Sequence, residues 1–348
     1  MKASLPLISV TYSSKLLCRN HSAYRPDPSR HKLVAAAPLS PPAAIHDDSV
    51  VREFHEALSR SSDMAVAVAA IQSLTTVIRN STATTMMGLE RDLKHAAASL
   101  QRCNPMIISL KAGCELFLRY TTRTSALETD SFDVAKSRLI ERGRRFAETS
   151  KRARATIAEH GERFISPGST LLVHGHSRVV LSVLRKAAAS GRQFNVIVTE
   201  GRPDETGLSM ARALEELKLP VTVILDSAMG YIMDQVDMVM VGAEGVVESG
   251  GIINKLGTYT LALVANEHGV PFYVAAESYK FTRLFPLAQR DLVMDQKGIA
   301  MSPLLPSSVQ VVNPSTDFTP PKYVSLLFTD LGVLTPAAVS DELIQLYQ

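Results

Sequence analysis

The sequence predicts an α/β protein, with an N-terminal helical domain followed by a domain built on a doubly wound parallel sheet. Over residues 47–165, apolar residues recur at helical spacing, which predicts the helical domain. Over residues 166–348, short apolar runs alternate with helix-like stretches. This alternation is typical of βαβ units, whose helices cover both faces of a parallel sheet. The chain has 348 residues and is 46% hydrophobic, so each domain has enough apolar side chains for a core of its own.

Residues 1–46 differ in composition from the rest of the chain. They contain six lysines and arginines but one acidic residue, Asp27, and they are rich in serine and proline. Such a segment has too few apolar side chains to form a core, and we predict a disordered extension. A basic, acid-poor composition is also typical of an organelle transit peptide. A targeting signal, an idle extension and a misjudged start site therefore remain open.

Five helices are predicted in the helical domain. The run Ser81–Thr85 interrupts the pattern and offers an N-cap for the helix that follows, and Asn104-Pro105 interrupts it again. The predicted helices are 50–58, 64–78, 86–100, 110–122 and 133–163.

Six apolar runs of the second domain have the length and composition of buried strands, which favours a Rossmann-like arrangement. The predicted strands are 170–173, 196–198, 221–225, 238–241, 272–274 and 324–328. The predicted helices that separate and follow them are 177–190, 205–217, 228–235, 255–268 and 337–347.

The glycine-rich segment after the fourth of these strands indicates a ligand site. Several glycines lie between Gly242 and Gly251, and Asn254-Lys255 is predicted to open the next helix. Glycines allow the backbone to approach a ligand closely, and the free amides at a helix start favour an anion such as phosphate. A tight turn that binds nothing is the alternative.

Polar side chains follow the carboxyl ends of the predicted strands, where the ligand crevice of an open α/β sheet lies. These residues suit a phosphorylated polyol as the ligand. The cationic side chains would bind its phosphate, and the carboxylates would bind its hydroxyl groups. The predicted ligand-binding residues are His176, Ser177, Arg178, Glu200, Arg202, Glu244, Asn254, Lys255 and Lys280. Structural roles are the alternative, such as an ion pair for Arg178 or a turn cap for Glu244.

Other ligand classes lack their sequence signals. His174 and His176 could form a metal pair, but no third ligand has suitable spacing, so no metal site is predicted. Neither a dinucleotide-binding fingerprint after a strand nor a P-loop is present. The net charge of +3 and the lack of a long apolar run give no indication of nucleic-acid or membrane binding. Three cysteines without metal-type spacing fit a reducing compartment.

The predicted helix 133–163 is dense in charge, and its basic residues outnumber its acidic ones. We predict that Arg142, Arg145 and Arg152 contact an acidic or phosphorylated partner, because arginines hold phosphate by paired, charge-assisted hydrogen bonds. A solvated helix face without a partner is the alternative.

Several segments resemble the alpha subunits of eukaryotic translation initiation factor 2B. The similarity spans residues 48–348 and is carried by 109–128, 171–184, 198–207, 241–259, 271–287 and 326–347. The resemblance implies a regulatory, non-catalytic subunit of the cytosolic guanine-nucleotide exchange factor for initiation factor 2. It further implies a homodimer, formed through the α/β half, within a decamer that contains beta, gamma, delta and epsilon subunits. The expected substrate contact is the phosphorylated alpha subunit of initiation factor 2.

The wider superfamily includes methylthioribose-1-phosphate isomerases, which are similar to the chain around the same two turns. They use a Cys after the first strand and an Asp after the fourth, and the resemblance places Gly175 and Glu244 at these positions. Glycine has no side chain for acid, base or nucleophile chemistry. The resemblance thus implies that the chain retains a sugar-phosphate site but does not turn the sugar over. Asn254-Lys255 also matches the pattern of the enzymes, which supports the retained site. An active aldose–ketose isomerase and a sugar-phosphate sensor outside translation are the alternatives.

Overall fold

The computed structural model describes residues 47–60, 64–105, 107–127, 131–292, 306, 308–309 and 312–347. These residues belong to one compact unit, Ala44–Gln348. The predicted extension over residues 1–46 lies outside the described residues, and the domain boundary after residue 165 stays a prediction. The predicted fold class is confirmed: a helical N-terminal region precedes a largely parallel sheet.

The N-terminal region contains the five predicted helices. They are α1 (Asp47–Arg60), α2 (Val66–Asn80), α3 (Met86–Cys103), α4 (Ile108–Leu127) and α5 (Phe132–Glu162). Helix α2 lies in the middle and packs against the other four, because its small residues permit close approach. At Gly113 of α4, an added Cβ would lie 2.9 Å from the Cβ of Ala67. Thr85 caps α3, and its hydroxyl accepts a hydrogen bond from the backbone N–H of Gly88, as an N-cap should.

The second half alternates strands and helices. Its strands are β1 (Thr170–His174), β2 (Asn195–Thr199), β3 (Val221–Ile224), β4 (Met238–Val241), β5 (Gly245–Val247), β6 (Ile252–Lys255), β7 (Phe272–Ala275), β8 (Phe281–Thr282), β9 (Thr316–Thr319), β10 (Leu326–Thr329) and β11 (Gly332–Leu334). Its helices are α6 (Arg178–Ala189), α7 (Thr206–Glu215), α8 (Met229–Ile232), α9 (Thr258–Glu267) and α10 (Ala338–Tyr347).

Seven of these strands form the main sheet, in the order β11-β10-β7-β4-β1-β2-β3. All pairs are parallel except the terminal hairpin of β10 and β11. Apolar residues of α5, α6 and α7 cover one face, and those of α8, α9 and α10 cover the other. The sheet is therefore doubly wound, as predicted. In the described part of the chain, no helix combines the length and apolar character needed to cross a membrane.

The glycine-rich segment after β4 differs from the prediction. Instead of a turn into a helix, it forms a hairpin of β5 and β6 within a second sheet of order β8-β5-β6-β9. The prediction that Asn254 and Lys255 open a helix was wrong, because both pair with β9 and α9 starts at Thr258. Gly257, with a φ of 101°, makes the break between strand and helix.

The stretch 228–235 is also not the single helix that was predicted. It consists of the short helix α8 between two 3₁₀ turns, Asp226–Ala228 and Met233–Gln235. Gly230 lies within this stretch, and glycine is a poor helix former.

Candidate functional site

The order of strands places a crevice at the carboxyl ends of β1 and β4. The chain runs from β1 outward to β2 and β3, and then returns to β4 on the other side of β1. The two neighbouring strand ends thus diverge into loops on opposite sides, which is the usual position of a ligand site in this architecture. The two loops touch, because Gly242 after β4 packs directly against the Ser177 side chain after β1.

A cavity of about 390 Å³ opens beside this crevice, within the size range of small-molecule sites. Both halves of the molecule contribute to its wall. The lining residues are Ala65, Val66, Ile107, Ser109, Arg178, Ala243, Glu244, Lys255, Tyr279, Lys280, Ser315 and Thr316.

Four of the nine predicted ligand-binding residues, Arg178, Glu244, Lys255 and Lys280, line the cavity. Lys255 forms two ion pairs. Its Nζ lies 3.0 Å from Glu244 Oε1 and 3.1 Å from Asp204 Oδ2. Although burial lowers the pKa of the Lys255 ammonium, the two carboxylates raise it above its ordinary value. Lys255 is therefore a fixed positive charge held between two acids.

Arg178 joins the two halves of the cavity wall. It is the first residue of α6, and its guanidinium donates a hydrogen bond of 3.1 Å to the carbonyl of Met64, which lies just before α2. Ser177 is the N-cap of α6 and accepts a hydrogen bond of 3.3 Å from the N–H of Val180. The Ser177 hydroxyl thus has a structural use at the helix start.

The other predicted residues do not line the cavity. His176 is exposed. Arg202 is also exposed and pairs with Glu200 at 3.3 Å and with Glu205 at 2.8 Å. Asn254 is buried and donates to the Thr258 hydroxyl at 3.1 Å. Their placement favours the structural alternatives.

The hydrogen bonds of His174 do not favour the metal pair that His174 and His176 could have formed. His174 is buried, and its Nε2 donates to the carbonyl of Leu256 at 2.8 Å, so its Nδ1 accepts from the Thr199 hydroxyl at 2.6 Å. Burial lowers the pKa of His174, which keeps the ring neutral. Among the described residues, no group of three or more potential ligands is arranged to hold a metal ion.

Two helix N-termini reach the cavity, and the sequence did not indicate them. Ala65 and Val66 at the start of α2, and Ile107 and Ser109 at the start of α4, belong to the lining. Ala65 is the N-cap of α2 and offers no side-chain hydrogen bond to the first-turn amides. These amides carry the partial positive charge of the helix end. The helix starts at the cavity are therefore those of α2 and α4, together with that of α6 at Arg178, and not a helix starting at Lys255 as predicted.

Glu277 and Tyr279, which were not among the predicted ligand-binding residues, lie next to Lys280. Glu277 is 1% exposed, and its carboxylate contacts Arg154 of α5 at 3.1 Å, the Tyr279 hydroxyl at 2.8 Å and Lys280 at 2.9 Å. Burial would raise the pKa of Glu277, but Lys280 and then Arg154 hold it at about 2. The cavity thus combines cationic side chains and helix N-termini with the carboxyl group of Glu244, which suits a ligand bearing both an anionic group and hydroxyls.

The predicted partner-binding arginines lie on α5, away from the cavity lining. Arg142, Arg145 and Arg152 are all exposed, and their spacing places them on one side of the helix. Arg142 stacks on the Tyr120 ring, 3.8 Å from its centroid, and Arg145 pairs with Glu141 at 3.3 Å.

Comparison with known proteins agrees with this architecture. Residues 59–336 match the model of the initiation factor 2 subunit family. The chain is 44% identical over 311 residues to translation initiation factor eIF2B subunit alpha of Dictyostelium discoideum, covering 86% of the chain and 97% of that protein. It is 34% identical over 249 residues to ribose 1,5-bisphosphate isomerase of Archaeoglobus fulgidus, covering 71% and 77%. The crystal structure of Pyrococcus horikoshii OT3 translation initiation factor eIF-2B superposes with a TM-score of 0.64 at 29% identity, covering 82% of the chain and 97% of that structure.

Proposed function

Because the chain belongs to the initiation factor 2 subunit family, we propose that it is a regulatory, non-catalytic subunit of the guanine-nucleotide exchange factor for initiation factor 2. One observation carries this proposal: the 44% identity to an eIF2B alpha subunit extends over 97% of that protein. We place the subunit in the cytosol, where translation starts. We expect it to assemble with beta, gamma, delta and epsilon subunits.

The loss of isomerase chemistry is supported at Gly175. This residue stands where the resemblance to the isomerases places their Cys, and its φ of 66° lies in the left-handed region, which disfavours a side chain. An added Cβ there would also lie 3.2 Å from Thr206 Oγ1. Glu244 stands where they carry an Asp. Its extra methylene displaces the carboxylate by roughly 1.5 Å, and Lys255 holds it in an ion pair.

An aldose–ketose isomerase acting on a phosphorylated ribose is the second candidate, favoured by the 34% identity to a ribose 1,5-bisphosphate isomerase. Incubation of the purified chain with ribose 1,5-bisphosphate and with methylthioribose-1-phosphate separates the two candidates. The regulatory proposal expects no product from either sugar, and sustained turnover of either would replace it.

Homodimerisation is supported by an apolar surface on the α/β half. The edge strand β3 has no further neighbour among the described strands. The surface, which we call the β3 face, consists of Val223, Leu225 and Tyr231, exposed by 45%, 59% and 83%. An open edge with adjoining apolar side chains is an association-prone surface in a single chain, and a second copy would cover both.

Sugar-phosphate binding is supported by the cavity. Arg178, Lys255 and Lys280, together with the N-termini of α2 and α4, supply positive charge for a phosphate, and Glu244 is within the same cavity for a hydroxyl. A ligand that prefers the folded, assembled state stabilises it by mass action. A hexose phosphate at millimolar concentration should raise the melting temperature of the wild type. The Arg178→Met variant should lose this shift, whereas Arg185→Met, on the exposed side of the same helix, should retain it.

Contact with the phosphorylated substrate is assigned to Arg142, Arg145 and Arg152. Replacing all three with alanine should weaken binding of the phosphorylated alpha subunit of initiation factor 2 by about tenfold or more, because a charge-assisted hydrogen bond contributes about 1.5–3 kcal/mol. Arg144→Ala is the matched control, because Arg144 lies on another side of α5 and pairs with Glu141 at 3.2 Å. Equal losses in the triple variant and the control would contradict the assignment.

The experiment that tests the proposal as a whole is a tagged pull-down from the source cell, with the native mass of the purified chain measured alongside. A homodimer that copurifies with four further exchange-factor subunits supports the regulatory role. A stand-alone oligomer without such subunits overturns it and favours a sugar-phosphate enzyme or a sensor outside translation.

A further inference from the structure

A buried ion cluster beneath the cavity connects the α/β half with helix α5. Its centre is the Glu277 carboxylate. Arg154 of α5 contacts Oε1 of this carboxylate, and Lys280 contacts its Oε2. The side chains of Arg154 and Lys280 are 14% and 19% exposed. A carboxylate as buried as Glu277 requires countercharges, so its position depends on both cations.

Lys280 belongs to the cluster and to the cavity at the same time. Its Nζ lies 2.9 Å from Glu277 Oε2 and donates a hydrogen bond of 2.9 Å to the carbonyl of Ala243, and the residue lines the cavity. The charge that Lys280 offers to a ligand is therefore shared with Glu277. If Arg154 leaves Glu277, Lys280 becomes the main countercharge of a buried carboxylate and is less available to an anion.

A second contact ties the same segment to α5. Tyr279 lines the cavity, donates its hydroxyl hydrogen to Glu277 and packs edge-on against Phe146, with 6.1 Å between the ring centroids. Residues 277–280 thus contact α5 through both a ring and a charge. The same helix carries the exposed arginines Arg142, Arg145 and Arg152.

We propose that the Arg154–Glu277–Lys280 cluster couples the cavity to helix α5, so that an anion bound in the cavity stabilises the docked position of α5. This inference rests on the proposed binding of a sugar phosphate. An anion needs Lys280, and Glu277 competes less for the Lys280 charge when Arg154 also neutralises that carboxylate. By thermodynamic reciprocity, a ligand that binds better when α5 is docked must also favour the docked state. The ligand thereby regulates the helix to which we assign contact with the phosphorylated substrate.

Hydrogen exchange of the full-length chain, read by mass spectrometry with and without millimolar hexose phosphate, tests the coupling. Peptides from α5 should exchange more slowly with the ligand, whereas peptides from α3, which does not line the cavity, should not change. Arg154→Met should weaken hexose-phosphate affinity by about tenfold, the size of a typical coupling between sites, although Arg154 does not line the cavity. Arg144→Met, on an exposed side of the same helix, should leave the affinity unchanged.

The outcomes separate the coupling from ligand binding itself. A raised melting temperature with unchanged exchange in α5 overturns the coupling and leaves the sugar-phosphate proposal intact. Equal slowing in α3 and α5 shows general stabilisation and also overturns it. Absence of any binding overturns both proposals. The wild-type exchange measurement keeps the inference testable even if Arg154→Met does not fold.

Discussion

The carboxyl group of Asp317 on β9 should make the stability of the protein depend on pH, and a single substitution at this residue should remove that dependence. Its Oδ2 accepts hydrogen bonds from the N–H groups of Gly257 at 2.8 Å and Tyr259 at 3.0 Å, at the start of α9. Its Oδ1 is buried and has no hydrogen-bond partner among the described residues. Burial raises the pKa of Asp317 to about 7, against the two backbone hydrogen bonds that lower it. We predict that Asp317→Asn keeps the helix cap and removes the titration.

The sign follows from proton binding. Between its unfolded pKa of 3.8 and its folded pKa of about 7, Asp317 binds a proton in the native state and not in the unfolded chain. The free energy of unfolding therefore falls as pH rises through this window. A tenfold change in an equilibrium corresponds to about 1.4 kcal/mol, so the ionised carboxylate costs the native state up to about 4 kcal/mol at pH values above the folded pKa.

Urea unfolding of the wild type and of Asp317→Asn at about pH 5 and about pH 8 measures this cost, because other titrating groups contribute equally to both proteins. From about pH 5 to about pH 8, the free energy of unfolding of the wild type should fall relative to that of Asp317→Asn. Asp317→Ala serves as a control. It lacks the helix cap at both pH values, and this loss should lower the free energy of unfolding by about 1 kcal/mol. A difference between wild type and Asp317→Asn that stays constant with pH would refute the reasoning that burial of Asp317 raises its pKa.

Three further predictions concern assembly, chemistry and backbone conformation. Tyr231→Asp, at the most exposed residue of the β3 face, should convert the proposed homodimer into a monomer, and an unchanged native mass would exclude this face as the dimer contact. Gly175→Cys should give no isomerase turnover and should lower stability by about 1–2 kcal/mol, the cost of a side chain at left-handed backbone angles. Ribose 1,5-bisphosphate turnover by that variant would show that the missing thiol alone explains inactivity. Gly250→Ala should destabilise the chain in urea more than Gly168→Ala does. Both glycines have a φ near 80°, but Gly250 packs against the Pro336 carbonyl, whereas a Cβ at Gly168 meets open space.

Elements with strong local signals could be predicted from the sequence. The continuous apolar run of β4 is buried at all four positions, as expected for a central parallel strand. The Thr85 cap of α3 also acts within a few residues of the chain, on the N–H of Gly88. The second sheet could not be predicted in this way. Its strands have two to four residues, and β6 is recognisable as a strand mainly through its pairing with β9, far along the chain.

The site shows the same division. Arg178, Glu244 and Lys280 could be predicted to lie together because a parallel sheet brings successive strand ends to one edge. Lys255 joins them from β6 of the second sheet, and not from the predicted helix start. The contributions of α2, α4 and Arg154 depend on how the helical half packs against the sheet, and no local pattern encodes that packing. Asn254 does not line the cavity, for a related reason. Its side-chain amide donates a hydrogen bond to the Thr258 hydroxyl, and Asn254 lies in a hairpin that the sequence pattern did not indicate.

The charges in the cavity favour binding over chemistry. A lysine acts as a general base when its pKa is lowered toward neutrality, but Glu244 and Asp204 raise the pKa of Lys255, so it remains an ammonium. Lys280 is likewise held by the ionised Glu277. A phosphate that enters the cavity must compete with these resident carboxylates for its cations, which lowers its affinity. We therefore expect the proposed sugar phosphate to bind more weakly than it would to cations that lack carboxylate partners.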